Sequence, residues 1–279
     1  MPNADAVAIC IVNWESTDLL RACLDSIRRC PPTLSYEIIV VDNASTDFDA
    51  RVMASQYPNV RWIVNETNTG YAHANNQAVA ASTEPYLLLL NSDTEVTDAS
   101  VDVLAKFLDD HPRCAAVAPK IVYPDGRTQR SCRGFPTPSA LFGDVFGIGP
   151  YRMPGFDHES EREVDQPMFS AIMIRRSVWE QLHGLDEQFP IFFNDVDWCM
   201  RAKEAGWEIW LTPTARVVHH HGMSTRRMGR DRIRESHDSL VRLYHKHYGS
   251  HLSGMKYEIT ILLIRFTGWV RWLIAGMRR

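Results

Sequence analysis

No CxxC pair occurs among the six cysteines, Cys10, Cys23, Cys30, Cys114, Cys132 and Cys199. Thiols scattered in this way argue against a zinc cage and a disulfide framework, and place the chain in a reducing cytoplasm. Met1 to Asp5 are polar and acidic, with no signal-peptide pattern before the first apolar run. That run, Val7-Ala8-Ile9-Cys10-Ile11-Val12, leads into Asn13-Trp14-Glu15-Ser16. No G-x-G-x-x-G lets backbone approach a pyrophosphate there, which argues against a dinucleotide-dependent dehydrogenase. Disorder is also excluded, because 45% hydrophobic and 23% charged residues describe an ordinary folded domain. At 279 residues the chain suits one large α/β domain with a tail, or two small ones.

Charge is unevenly spread beneath a net value of -4. From His219 to Arg279 there are 12 Lys/Arg against 4 Asp/Glu, so the preceding body carries the acidic excess. A basic tail on an acidic body points to an anionic partner, membrane lipid or nucleic acid, or to a plain solvated helix surface.

Short apolar runs alternate with helical periodicity. Leu19, Leu20, Cys23, Leu24 and Ile27 recur at helical spacing before Pro31-Pro32. Glu37 to Val41 and Val60 to Val64 read as strands, the first stopping at Asp42-Asn43-Ala44-Ser45-Thr46-Asp47 and the second before a polar loop that turns at Gly70. The stretch Tyr86-Leu87-Leu88-Leu89-Leu90-Asn91-Ser92-Asp93 is the strongest single signal. Four leucines closed by small polar residues read as a strand buried on both faces of a mostly parallel sheet. Ligands bind beyond the carboxyl ends of such strands, so Asp93 would reach a crevice, where one carboxylate suits Mg²⁺ or Mn²⁺ beside substrate phosphates. The alternative makes Asn91 to Asp93 caps of the helix that starts near Thr97.

The runs Asp42 to Asp47, Asn68-Thr69-Gly70-Tyr71-Ala72 with Asn76, and Leu90-Asn91-Ser92-Asp93 resemble the donor-site motifs of inverting glycosyltransferases of family 2, nearest to bacterial rhamnosyltransferase-type members. The resemblance covers roughly residues 7 to 250. It implies a GT-A fold, a mostly parallel central sheet flanked by helices. It also implies a nucleotide-diphosphate sugar donor (a dTDP- or UDP-sugar), a divalent cation, and donor contacts from Asp42, Asn43, Asn68, Gly70, Asn76, Ser92 and Asp93. The expected division is a catalytic domain over 1–228, with a donor half to about 95 and an acceptor half beyond it, then a basic amphipathic tail over 229–279.

Residues 127 to 165 carry Gly, Pro and aromatics without a period and read as a lid facing the acceptor. Met168 to Arg175 reads as the next strand, with Ser170 where the family more often has glycine. Phe193-Asn194-Asp195-Val196-Asp197-Trp198-Cys199-Met200-Arg201 opens a helix on which Asp197 and Arg201, four apart, can pair. On residue type alone Asn194, Asp195 and Asp197 are equally helix caps. The resemblance instead makes Asp195 the general base and Asn194, Asp197 and Arg201 supporting or acceptor residues, with Asn194 replacing an acidic residue. An inverting displacement needs such a base, because the acceptor hydroxyl loses its proton as it attacks.

Trp207 to Leu211 reads as a strand followed by Pro213, ahead of His219-His220-His221-Gly222-Met223-Ser224. Adjacent strand side chains alternate faces, so the three histidines cannot share one ion. The family pattern selects His219 as metal ligand with Asp93. Ser224, Thr225, Arg226 and Arg227 then suit a loop closing over the diphosphate.

In the far tail Leu262, Leu263, Phe266, Trp269, Val270, Leu273, Ile274 and Met277 fall in one helical arc, opposite Arg265, Arg271 and Arg278. That is an interfacial helix, since a spanning one would bury two arginines and its uninterrupted apolar runs are short. A core or dimer contact is the alternative for the arc, which leaves a homo-oligomer open. Nucleic acid is not an expected partner, because Leu, Ile and Trp dominate the tail's end. The expected activity is a metal-dependent hexosyl transfer at the inner membrane face, to a saccharide or polyprenyl-linked acceptor in cell-envelope polysaccharide synthesis. A non-catalytic nucleotide-sugar sensor or scaffold is the alternative that Asn194 favours.

Overall fold

The four consecutive leucines divide between two cores. Leu88 and Leu90 pack with Ile9, Ile11, Leu20 and Leu24, whereas Leu87 and Leu89 pack with Cys10, Ile39, Val41 and Trp198. Successive strand side chains point to opposite faces, so one continuous apolar run fills both sides of a sheet. The computed structural model describes residues 6–145, 153, 155–220, 228–249 and 254–277. Its strands are β1 (Ala6–Asn13), β2 (Ser35–Asp42), β3 (Val60–Val64), β4 (Tyr86–Asn91), β5 (Thr94–Val96), β6 (Cys114–Val122), β7 (Cys132–Arg133), β8 (Arg162–Glu163), β9 (Gln166–Pro167), β10 (Ala171–Arg175) and β11 (Glu208–His219). The helices are α1 (Thr17–Arg29), α2 (Ala50–Gln56), α3 (Tyr71–Ala80), α4 (Ser100–Asp110), α5 (Pro138–Val145), α6 (Arg176–Gln181), α7 (Asn194–Glu204), α8 (Asp231–Tyr248) and α9 (Gly254–Met277).

The main sheet runs β3-β2-β1-β4-β10-β6-β11-β5, with β8 on β11. Its longest pairings, β1 with β2 and with β4 and β6 with β11, are parallel, while β10 is antiparallel to both neighbours. This arrangement sends the carboxyl ends of β1, β2, β4 and β11 and the amino end of β10 to one edge.

Two strands differ from the sequence reading. β11 continues through Pro213 to His219, because its register slips between Thr212 and Arg216 and the proline falls in the bulge, where no ladder donor is needed. Met168 to Arg175 is broken at Phe169-Ser170: Gln166–Pro167 pairs with β7, and only Ala171 onward joins the main sheet.

α3 starts at Gly70, whose φ is +87° and whose missing side chain matters, since a Cβ would lie 2.8 Å from the Pro190 carbonyl oxygen. That same carbonyl accepts the Ala72 N–H at 3.1 Å, tying α3 to the turn before α7. Gly70→Ala is therefore expected to destabilise the protein by roughly 2 kcal/mol. The check is the urea midpoint, and an unchanged value would show that the contact relaxes freely.

α8 packs on α7 and the turn before it. Leu243 is buried with Phe189, Val196 and Met200. The fully buried Asp197 accepts from Arg201 (2.8 Å), His247 (2.8 Å) and Lys246 (2.6 Å). Burial alone would raise its pKa, but His247, Arg201 and Lys246 together hold it below the ordinary carboxylate value. Arg201 also donates to the Leu182 carbonyl and, at 2.9 Å, to that of Gly184. Removing one partner of such a network leaves buried charge uncompensated, so Asp197→Ala is expected to cost about 3 kcal/mol in chemical denaturation. The contribution is present at neutral pH and is lost as pH falls through the depressed value.

α9 lies on α8 through Ile261, Ile264 and Gly268, and it leaves Leu262, Phe266, Trp269, Leu273 and Met277 exposed. By length and composition it is long and apolar enough to cross a membrane.

Candidate active site

The sheet edge collects a polar cluster from segments far apart in the chain. Asp42, at the end of β2, is buried and accepts from Asn13 Nδ2 at 2.8 Å and from the Ser45 backbone N–H at 3.0 Å. Ser16 Oγ donates to Asn13 Oδ1 at 3.0 Å and lies 2.9 Å from Ser92 Oγ. Glu15 and Ala44 hold positive φ in these two turns, so both loops are bent to shape one lip of the crevice.

Asn43 binds the loop opposite. Its amide donates to the Gly70 carbonyl at 3.1 Å and its oxygen accepts from Asn65 and Thr69. Asn68 caps the turn by accepting the Gly70 N–H at 2.9 Å. Asn76 differs from the expected donor contact: its amide donates to the Leu185 carbonyl and to Glu187, both at 2.9 Å, and its oxygen accepts the Leu185 N–H. Asn76 thus clamps α3 to the segment before α7, and Asn43 and Asn68 set the backbone around Gly70.

Asp93 does not cap a helix, since β5 intervenes before α4. It is buried, and its Oδ1 has no hydrogen-bond partner among the described residues but lies 3.3 Å from His219 Nε2. The pairing follows from the sheet, because β5 and β11 place Thr94 opposite His219, and the His220 N–H donates to the Asp93 carbonyl at 2.9 Å. His219 Nδ1 lies 3.0 Å from Gln129 Oε1. The imidazole is thus held between Gln129 on its Nδ1 side and Asp93 on its Nε2 side. Burial would raise the Asp93 pKa, but the His219 contact and charge hold it below the ordinary carboxylate value. His220 points to the other face and contacts Glu95 at 2.8 Å.

Asp195 sits in the first turn of α7, after Phe193 at φ +68°. It accepts the Val196 N–H at 2.8 Å, and burial raises its pKa while Arg133 acts in the opposite sense. Asn194 is buried and donates to the carbonyls of Phe189 and Ile191, a job that an ionised acid cannot perform. Tyr71 lies within electrostatic reach of both carboxylates. Its hydroxyl donates to the Phe169 carbonyl at 2.6 Å, and burial together with the charges of Asp195 and Asp93 raises its pKa. Ser170, beside it, accepts the Asn91 N–H through its carbonyl, and its buried Oγ has no hydrogen-bond partner among the described residues.

The set comprises a buried carboxylate–imidazole pair and a desolvated carboxylate, with Tyr71 within electrostatic reach of both carboxylates. Asp93 and His219 fit a hard divalent cation whose remaining ligands come from phosphate. Among the described residues no group of three or more acidic, His or Cys side chains forms a closed metal cage. His221, Gly222, Ser224, Thr225, Arg226 and Arg227 lie outside the described residues.

The family model described as glycosyl transferase family 2 matches residues 7–182. The chain belongs to this family. It is a glycosyltransferase with a GT-A fold. The N-acetylglucosaminyl-diphospho-decaprenol L-rhamnosyltransferase of Mycobacterium tuberculosis is 30% identical over 264 residues, 86% of this chain and 80% of that one. The O-antigen biosynthesis protein RfbC of Myxococcus xanthus is 29% identical over 79% of this chain but only 18% of its own length. Among solved structures, the mannosyltransferase PcManGT from Pyrobaculum calidifontis with GDP-Man and Mn2+ superposes with a TM-score of 0.61 at 18% identity, covering 99% of this chain and 74% of that one. S. aureus TarS with UDP-GlcNAc gives 0.57 at 16% identity, over 92% and 70%.

Gln129, Tyr71, Asn13 and Ser16 neighbour the candidate site's side chains and were not among the residues expected from the sequence. Gln129 lies in the aperiodic stretch and carried no signal. Tyr71 follows the turning Gly70 inside a quoted motif, which was the one available hint.

Proposed function

We propose that this glycosyltransferase moves a hexose, with rhamnose the first to test, from a nucleotide diphosphate to a lipid-linked saccharide with inversion, using a divalent cation. The observation that supports this reading is that Asp93 pairs with His219 and that Tyr71 lies within electrostatic reach of both Asp93 and Asp195, residues from distant stretches of the chain. Asp42 and its Asn13–Ser45 lip bind the nucleoside, and Asp93 and His219 hold the cation. When bound, the cation stabilises charge that develops on the departing diphosphate. Asp195 orients the acceptor hydroxyl and takes its proton, and the raised pKa makes it a stronger base. A cavity of about 590 Å³ lined by Gly134, Phe135, Phe156, Arg162 and Asp165 opens next to Arg133 and is the acceptor's route.

α9 lies along the cytoplasmic membrane face with its exposed apolar arc in the lipid. Arg265 and Arg271 and the packing of Ile264 on α8 favour this over a span. The sensor or scaffold reading rested on Asn194, whose amide is accounted for by the Phe189 and Ile191 carbonyls. The test is purified full chain with a panel of nucleotide sugars and a polyprenyl-diphosphate saccharide. One donor is expected to raise Tm only with Mn²⁺ or Mg²⁺ and to yield a glycosylated lipid, and binding without turnover would favour the sensor.

A further inference from the structure

α8 and α9 run antiparallel, with His237 against Gly268 and Arg230 against Gly276. Arg234, His237 and Asp238 on α8, and Arg265, Gly268, Trp269 and Trp272 on α9, each keep the spacing that puts side chains on one helix face. Between them lies a cavity of about 220 Å³. That is below the roughly 300–1,000 Å³ typical of sites for drug-sized ligands, so a nucleotide sugar does not suit it. Gly268 makes the cavity's floor, since a Cβ there would lie 2.7 Å from the His237 ring.

The lining is cationic and incompletely paired. Arg234 has only a loose contact with Asp238 at 3.7 Å, and Arg265 has no hydrogen-bond or ion-pair partner among the described residues. His237 uses Nδ1 on the Ile233 carbonyl at 2.8 Å. Arg230, next to the cavity, stacks on Trp272 at 3.7 Å, and its buried Nε has no hydrogen-bond partner among the described residues. Trp269 lines the cavity and also belongs to the exposed apolar arc. A ligand here meets guanidinium groups and indoles on one side and a continuous apolar surface on the other.

We propose that this cavity binds the phosphate of an anionic membrane phospholipid, with the acyl chains along Leu262, Phe266, Trp269 and Leu273. The inference rests on the reading of α9 as a surface helix. Indoles suit the headgroup level, and guanidinium groups suit phosphate.

The test is sedimentation of the full chain with phosphatidylcholine vesicles and with mixed phosphatidylcholine–phosphatidylglycerol vesicles. Binding is expected to be stronger to the mixed vesicles. The double variant Arg234→Gln/Arg265→Gln should weaken that binding roughly thirtyfold, and Arg265→Gln alone, at a side chain without a partner to lose, roughly fivefold. The charge-matched pair Arg232→Gln/Arg271→Gln, outside the cavity, should lose less than about a third as much as the first pair. Equal losses from both pairs would mean a diffuse field and overturn the site. Equal binding to both vesicle types would overturn the site and leave the surface helix standing, whereas no binding to either would overturn both.

Discussion

Asp195→Asn is expected to lower kcat by about a thousandfold, leave donor affinity within about twofold, and raise Tm. General-base catalysis contributes roughly 10² to 10⁴ in rate, and the adjacent Asn194 cannot take over, since it is an amide that donates to two carbonyls. Donor affinity survives because the nucleoside lip and the Asp93–His219 pair belong to other elements. The gain in Tm follows from linkage. Burial raises the folded pKa of Asp195 above its unfolded value, so the folded state binds the proton more tightly. The stability contributed by the protonated form is complete below the unfolded pKa and is lost as pH rises through the folded one. At neutral pH the ionised carboxylate therefore strains the fold, and a neutral amide of the same shape relieves it. The acid limb of the rate profile should lie above the ordinary carboxylate value for the same reason. Wild-type turnover in the variant would refute the assignment of the base, and an unchanged Tm would refute the desolvation argument.

The elements that the sequence made legible are those specified locally. Leu87 to Leu90 announced a strand with two buried faces, and the two cores that share them are what such a run requires. The histidine triplet was legible by alternation, and His219 and His220 do face opposite partners, Asp93 and Glu95. What stayed illegible depends on partners distant in the chain. Gln129 orients an imidazole 90 positions later, and neither residue's neighbours encode that contact. Asn76 sits in a donor-site motif, yet its amide binds Leu185 and Glu187, because α3 and the segment before α7 meet only after the sheet has formed. Pro213 looked like a strand end because a central strand cannot hold proline in its ladder, and the bulge that removes the conflict becomes visible only from the slip against β6. A plain solvated surface was one alternative for the basic tail, although Lys246 and His247 on α8 meet a buried aspartate that could not be located from their own sequence.

Asp93→Asn and His219→Ala are each expected to lower kcat/KM by about a thousandfold and to abolish the rise in Tm that a nucleotide sugar gives with Mn²⁺. A buried carboxylate beside an imidazole also fits a structural ion pair, and the two roles separate in protein treated with chelator. For a structural pair, breaking it would lower Tm to the same extent with and without chelator, and the surviving response to donor and metal would stay normal. For a cation site, the Asp93 oxygen, which has no hydrogen bond among the described residues, and the imidazole nitrogen 3.3 Å from it would both be ligands. Their loss then removes the metal response while changing the chelator-treated Tm little. Gln129→Leu separates the roles further. It leaves both groups in place but removes the acceptor that orients His219, so metal affinity should fall about 10- to 100-fold while saturating Mn²⁺ restores turnover. A Gln129→Leu enzyme whose deficit is insensitive to Mn²⁺ concentration would instead assign the imidazole to packing, and the cation would then have to be held by Asp93 and the diphosphate alone.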